Sequence, residues 1–217
     1  RIFVTNLLNT LLMIVVFIAA INQLGIETTS IIAVLGAAGL AIGLALQGSL
    51  SNFAAGILIV IYRPYKVGDY IQADSHLGTV LDIQIFSTVL KTPDNKLVIV
   101  PNGSIMNGSI VNFSHQAERR VDIIASCSYD DDIDKVKSVL TDILSKDERI
   151  LSEPKPRIAL SELADSSVNF IVRPWVKNAD YLDVYYSLLE EIKKRFDQEG
   201  ISIPYPQSDV HIHNHSE

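Results

Sequence analysis

Charge is almost missing from the first 62 residues: Arg1 and Glu27 are the only charged side chains before Arg63. Two uncharged, strongly apolar stretches exclude an ordinary soluble fold for this part and read as membrane spans. Cysteine is nearly missing too. The single Cys127 excludes a disulfide framework or a cysteine metal cluster, and is expected to be a small core residue. A basic surplus is also lacking, with 18 Lys and Arg against 25 Asp and Glu, for a net charge of −7 carried almost entirely after Tyr62. That balance leaves no basic stripe and argues against nucleic-acid binding. The opening "RIFVTNLLNT" has neither a clear basic n-region nor a small-residue cleavage site, so it is not a signal peptide of the usual design. No nucleophile elbow, P-loop or dinucleotide fingerprint occurs, and neither an enzyme active site nor a cofactor is expected.

What is present is 217 residues with a mean hydropathy of +0.25, high for a soluble protein. The first span is expected over 2–24, around the core "LLMIVVFIAAI". At about 1.5 Å per residue it crosses roughly 30 Å of hydrocarbon. "GIETTS" then reads as a turn, with Gly25 at a helix C-terminus and Thr29 or Ser30 as the next N-cap. The second apolar stretch, 31–62, would be roughly 48 Å long as one helix, too long for the membrane unless it tilts or breaks. "QGSLSN" is the expected break, because Gly48 costs about 1 kcal/mol against alanine and Gln47, Ser and Asn bond backbone groups locally. The expectation is therefore a spanning half at 31–47 and an amphipathic half at 49–62, loosened further by Gly56. Arg1, Arg63 and Lys66 flank the spans while the turn holds only Glu27, which places both outer ends and the large C-terminal part in the cytosol.

The stretch "VLGAAGLAIGLALQGSLSN" gives up side-chain volume selectively. At about 100° per residue, Leu40 and Leu44 fall together with Ala33 between them. Gly36, Gly39 and Gly43 lie along one edge, Ala37 and Ala41 along the other, and Leu35, Ala38, Ile42, Ala45 and Leu46 on the far face. A helix with two small edges packs closely against a neighbour on each side. If the glycine edge of one copy meets the alanine edge of the next, the contact is heterologous; heterologous contacts that close make rings, and the leucines would then point at the axis. For seven helices about 8 Å apart, the axes stand roughly 9 Å from the centre. A Cα radius of about 2.3 Å and a leucine reach of roughly 4 Å then leave a hole about 3 Å in radius. Such an apolar constriction blocks ions by dewetting. Five helices would nearly close it, and the wheel does not choose the number. The alternative is a Gly/Ala helix packing in an ordinary dimer or bundle.

After the spans, "YRPYKVGDYIQ" leaves the membrane: Pro64 stops the helix and Gly68-Asp69 starts a turn. The short runs "DYIQA", "GTVLDIQI", "STVLKT", "KLVIVP" and "SIVNFS", separated by turns such as "PDNK" and "PNGS", predict a small β-barrel of the Sm/SH3-like kind at 63–117. No aromatic-plus-basic platform accompanies it, so a structural module is expected. From 118 to 205 the pattern is β-α-β-β-α-β, a ferredoxin-like α/β domain. "RRVDIIASC" is its first strand and "RIALSEL" with "SVNFIVRPWV" a hairpin. One helix has Ile133, Val136, Leu140, Ile143 and Leu144 on one face; a second buries Val184, Leu188, Leu189, Ile192 and Phe196. "ISI" begins a last strand, and 206–217 is expected to be a C-terminal strand and tail.

Asp130, Asp131 and Asp132 are expected to be an acidic helix start rather than a metal site, since no fourth ligand or calcium-loop spacing follows. His211, His213 and His215 alternate and would share a strand face, but lack the further ligands of a zinc site, so an exposed tail is expected. His76 and His115 are isolated. "Asn-Gly" at 102 and 107 marks turns, and in the cytosol these sequons are not glycosylated.

The segment "VLGAAGLAIGLALQGSLSNFAAGILIVIYRPYKVGDYI", followed by "GTVLDIQIFSTVLKTPDNKLVIVPNG", closely resembles the bacterial small-conductance mechanosensitive channel (MscS-type) family, and the resemblance covers essentially the whole chain. It implies a homoheptamer in the bacterial inner membrane, with one kinked pore helix per subunit and a hollow cytoplasmic vestibule with side portals. It places the narrowest point at Leu40 and Leu44, the helix packing at Ala33, Gly36, Ala37, Gly39, Ala41 and Gly43, and the kink at Gly48. Members of this type have three spans; two occur here, so the first is expected to fall before Arg1. The function so implied is a tension-gated, weakly selective channel that releases ions and small osmolytes on hypo-osmotic shock, with the lipid bilayer as its partner. Phe3, Leu46 and Leu50 are expected to couple the first span to the pore helix by packing. The rival readings are a membrane-anchored oligomeric scaffold or signalling protein, and a transporter, which the absence of intramembrane charge disfavours.

Overall fold

The computed structural model describes residues 2–25 and 27–211, without the side chains of residues 2–4 and 7. The chain divides into two compact units, Arg1–Gly68 with Gln72–Val111, and Asp69–Ile71 with Asn112–Glu217.

The first unit begins with α1 (Ile2–Gln23) and α2 (Thr29–Tyr62). Large apolar side chains on both helices, from Leu8 to Ile61, are exposed in the single chain. A helix that is apolar all round needs lipid or other protein around it. Between the helices Gly25 takes a φ of +78°, which suits glycine. The Asn22 Nδ2 donates to the Thr28 Oγ1 at 3.1 Å, tying the end of α1 to the residue preceding α2. Thr28, not Thr29 or Ser30, is the N-cap, and its side chain makes no capping bond.

The separation expected at Gln47 and Gly48 does not occur as a loss of helix: α2 runs unbroken for 34 residues. The polar side chain that was expected to compete with the helix serves it instead, as Asn52 Nδ2 donates to the Gly48 carbonyl one turn back at 3.0 Å. The cost of a single glycine, about 1 kcal/mol, does not break a ladder that continues on both sides. At about 51 Å, α2 overshoots roughly 30 Å of hydrocarbon. Its last turns use the excess, because Ala55, Gly56 and Ile59 are buried against protein rather than left to lipid. The helix ends where Arg63 turns left-handed and its N–H bonds the Ile59 carbonyl, with Pro64 following.

Five strands follow: β1 (Tyr70–Ala73), β2 (His76–Ile83), β3 (Ser87–Lys91), β4 (Leu97–Pro101) and, after α3 (Asn102–Asn107), β5 (Ile110–Asn112). Their sheet order is β4-β3-β2-β1-β5. Each corresponds to one of the short β-like runs in the sequence. Asp74 and Ser75, both at positive φ, form the tight β1–β2 turn. Helix α3 stands where the sequence predicts only a turn at "PNGS", and it packs on α2.

In the second unit the strand expected over 119–127 is two strands in two sheets. β6 (Glu118–Arg120) pairs with β10 (Trp175–Lys177), while β7 (Ile123–Cys127) joins β8 (Arg157–Leu163) and β9 (Val168–Arg173) in the order β7-β9-β8. Between them Val121 is buried and its N–H bonds the Pro174 carbonyl. Helices α4 (Ile133–Lys146) and α5 (Tyr181–Glu199) cover the sheet and bury Val136, Leu140, Val184, Leu188 and Phe196 among others. Ile133 and Leu189, expected inside, are exposed. Arg119 stacks its guanidinium 3.7 Å from the Tyr181 ring centroid and 4.8 Å from that of Phe113.

Two carboxylates of the acidic run accept from backbone donors. Asp132 Oδ1 accepts from the N–H groups of Asp134 and Lys135, and Asp131 Oδ2 from those of Ser128 and Ser202. Cys127 is buried in the core, and burial, followed by the nearby Asp131 charge, pushes its thiol up. The C-terminal strands expected from "ISI" and from 206 onward are not strands over the described residues up to 211. Ser202 accepts a bond from Ser128, but 206–211 is exposed and irregular. An extended segment becomes a strand only with a ladder of backbone bonds to a neighbour; here the Gln207 N–H donates to the Ser166 hydroxyl at 3.1 Å, a side-chain bond that starts no ladder. His211 is exposed on this tail; His213 and His215 lie outside the described residues.

Candidate pore helix and its docking site

On the spanning part of α2, Leu40 and Leu44 are 66% and 63% exposed. A Cβ added at Gly36, Gly39, Gly43 or Gly48 would meet nothing within 4 Å. Ala33, Ala37 and Ala41 are likewise exposed. Both small-residue edges and the leucine stripe between them are therefore unoccupied in the single chain. Leu46 and Leu50 are exposed as well, and the side chain of Phe3 lies outside the described residues, so the coupling expected among these three has no contact to report.

The lower end of α2 is different. Gly56, expected to loosen the helix, is instead a close-packing position. A Cβ there would sit 2.5 Å from the Ile85 carbonyl oxygen and 2.7 Å from Asn102 Nδ2. Gly56→Ala should therefore destabilise the first unit by about 1–3 kcal/mol, the usual cost of overpacking. Thermal unfolding in detergent checks this, and an unchanged midpoint would show that the helix can move off the β2–β3 turn at no cost.

Around Gly56 lies a buried polar network that sequence reasoning missed. Asn102 donates its side-chain N–H groups to the Gln84 and Ile85 carbonyls at 3.0 and 3.2 Å and accepts from the Thr88 hydroxyl at 2.9 Å. Thr88 is also 2.9 Å from the Tyr65 hydroxyl. Burial pushes the Tyr65 phenol up, offset in part by Thr88, so the ring keeps its proton for this network. The Gly103 N–H donates to Asn52 Oδ1 at 2.8 Å, which joins α2 directly to α3. Asn52 thus bonds its own helix through one atom and α3 through the other. Phe53 and Phe86 pack beside it with centroids 6.2 Å apart. The available signal was two asparagines, at 52 and 102, in otherwise apolar surroundings. Read locally, they meant a helix break and a turn. Among the described residues no cluster of three or more potential metal ligands occurs.

Three family descriptions match the chain in series: the transmembrane helices 2/3 of the mechanosensitive ion channel at residues 6–47, its beta-domain at 48–115, and the MscS C-terminal region at 121–203. The chain is 51% identical over 214 residues to the small-conductance mechanosensitive channel of Edwardsiella ictaluri, covering 92% of this chain and 75% of that protein. Against the closed-state crystal structure of Helicobacter pylori MscS the TM-score is 0.88 at 36% identity, over 98% of this chain and 85% of that one. The cryo-EM structure of Arabidopsis thaliana MSL1 shares the fold, with a TM-score of 0.76 at 22% identity, over 94% and 76% of the two chains. With an apolar helix pair leading into β-rich units, and family matches along nearly its whole length, this chain belongs to the MscS family of mechanosensitive ion channels.

Proposed function

We propose that this channel protein forms a ring of seven copies in the bacterial inner membrane, with its C-terminal part in the cytoplasm. Leu40 and Leu44 line the constriction. Gly36, Gly39 and Gly43 of one copy receive Ala33, Ala37 and Ala41 of the next. The observation that carries this reading is the open pair of small-residue edges on α2, flanking exposed leucines in a helix too apolar to remain so in water. Tension acts only through a difference in area between states. Opening separates the helices, withdraws the leucines and wets the pore for ions and small osmolytes during hypo-osmotic shock. Gln47 and Gly48 are where α2 bends as it does so, and Phe3, Leu46 and Leu50 transmit force from α1 by packing.

The parts below the membrane read as a small Sm/SH3-like barrel at 63–117 and a ferredoxin-like α/β domain at 118–205. The order β7-β9-β8 and the Ser128–Ser202 bond, which sets residues 201–203 beside β7, support the second assignment.

Patch recording of the purified protein in liposomes tests the reading: suction should evoke brief, weakly selective currents. A silent patch with protein inserted would overturn it and leave a membrane-anchored scaffold as the better account.

A further inference from the structure

The chain holds two Asn-Gly pairs five residues apart, one at the start of α3 and one at its end, and their environments are opposite. At the first, Asn102 is fully buried with both side-chain atoms engaged, and the Gly103 N–H is held by Asn52. At the second, Asn107 is the last residue of α3, exposed, with a side chain that makes no hydrogen bond among the described residues. Gly108 is exposed and extended, and its N–H reaches only the Ile105 carbonyl at 3.3 Å.

We propose that Asn107–Gly108 is a site of spontaneous covalent modification, and that the α2 docking network protects Asn102–Gly103 from the same reaction. The step needs only the chain and water. Base removes the proton from the Gly108 backbone nitrogen, which attacks the Asn107 side-chain carbonyl carbon. A new N–C bond forms, the bond to Nδ2 breaks, and ammonia leaves with a proton from solvent. Water then opens the resulting cyclic imide at either carbonyl, giving an aspartyl or an isoaspartyl residue. Glycine makes the approach easy because no Cβ obstructs its nitrogen. At 107 the side-chain amide is exposed and unbonded among the described residues, and the Gly108 nitrogen need only leave the long 3.3 Å helix-end bond to the Ile105 carbonyl. At 102 the amide is buried and held by Gln84, Ile85 and Thr88, and the Gly103 nitrogen is held by Asn52, so reaction there waits for local opening of the network. The product adds a negative charge at the link between α3 and β5, and in the isoaspartyl form an extra methylene in the backbone.

The full chain, purified in detergent and aged in mildly alkaline buffer, is digested and the amide-to-acid mass change is followed at both sites, with a urea-unfolded sample as reference. In the unfolded sample both sites should convert alike. In the folded protein conversion at 107 should proceed at least about tenfold faster than at 102, since only the latter requires opening. Gly108→Ala should slow conversion at 107 by about tenfold, because its Cβ crowds the attacking nitrogen. Equal rates at the two sites in the folded protein, a rate at 107 as suppressed as at 102, or no effect of Gly108→Ala would each overturn the proposal.

Discussion

Leu44→Ser should lower the suction needed to evoke current more than any other single change on α2. A leucine side chain kept from water is worth about 1.5–3 kcal/mol, and serine gives up nearly all of it. In a ring the substitution repeats in every copy, so even about 1 kcal/mol per subunit sums to several kcal/mol between a dry and a wetted constriction. The hydroxyl also gives water a hydrogen-bond partner at the proposed constriction, which opposes dewetting. Leu40→Ser should act in the same direction, one turn away on the same stripe. Ile42→Ser supplies the contrast: it places the same chemistry on the far face of the helix, where it cannot wet the axis. The measurement is the pressure threshold in liposome patches, normalised to a co-reconstituted channel of known threshold. Equal thresholds for Leu44→Ser and the parent chain would remove the constriction from that residue. Equal shifts for Leu44→Ser and Ile42→Ser would show that the wheel has been turned the wrong way round.

Much of this arrangement is legible in the residues because it rests on short-range physics. The near absence of charge before Arg63 locates the membrane helices, and short β-like runs separated by turn residues mark all five strands of the first sheet. The apolar faces of α4 and α5 follow from helical spacing, apart from Ile133 and Leu189 at their margins. What local pattern could not supply are features that depend on a distant partner. Gly48 looks like a helix breaker until Asn52 is seen to bond back to it. Gly56 looks like a second one, but glycine is there because the Ile85 carbonyl approaches too closely for a Cβ. "PNGS" reads as a turn because Asn-Gly so often is one, and only the long-range bonds of Asn102 and Gly103 account for a helix. The run 119–127 has the composition of one strand, yet it changes sheets at Val121. Two of these, Gly56 and "PNGS", fall where the last turns of α2 pack on α3 and the β2–β3 turn.

Asn102→Ala is the sharper probe of that region, and should destabilise the first unit by about 2–5 kcal/mol, more than Gly56→Ala. Three side-chain hydrogen bonds are lost at a site with no solvent access. The Gln84 and Ile85 carbonyls lose their Asn102 donors, and a cavity replaces the amide. Thr88 retains Tyr65 and is only half abandoned. Asn102→Asp separates the two contributions. It preserves the volume and the bond from Thr88, but turns a carboxylate toward two carbonyl oxygens, so it should be at least as damaging as alanine if the donors matter. If filling the space matters more, aspartate should be the milder of the two. Asn107→Ala, exposed on the same short helix, should leave the thermal midpoint unchanged and guards against a general effect of altering α3. The functional consequence follows from the geometry. The last turns of α2 rest on this network through Gly56 and through the Asn52–Gly103 bond, so loosening it should change how readily the helix returns to its closed position, while the leucines proposed to line the constriction stay intact. Currents from Asn102→Ala with parental conductance and altered closing would place the role of Asn102 in docking. A changed conductance instead would mean that the network shapes the open pore itself.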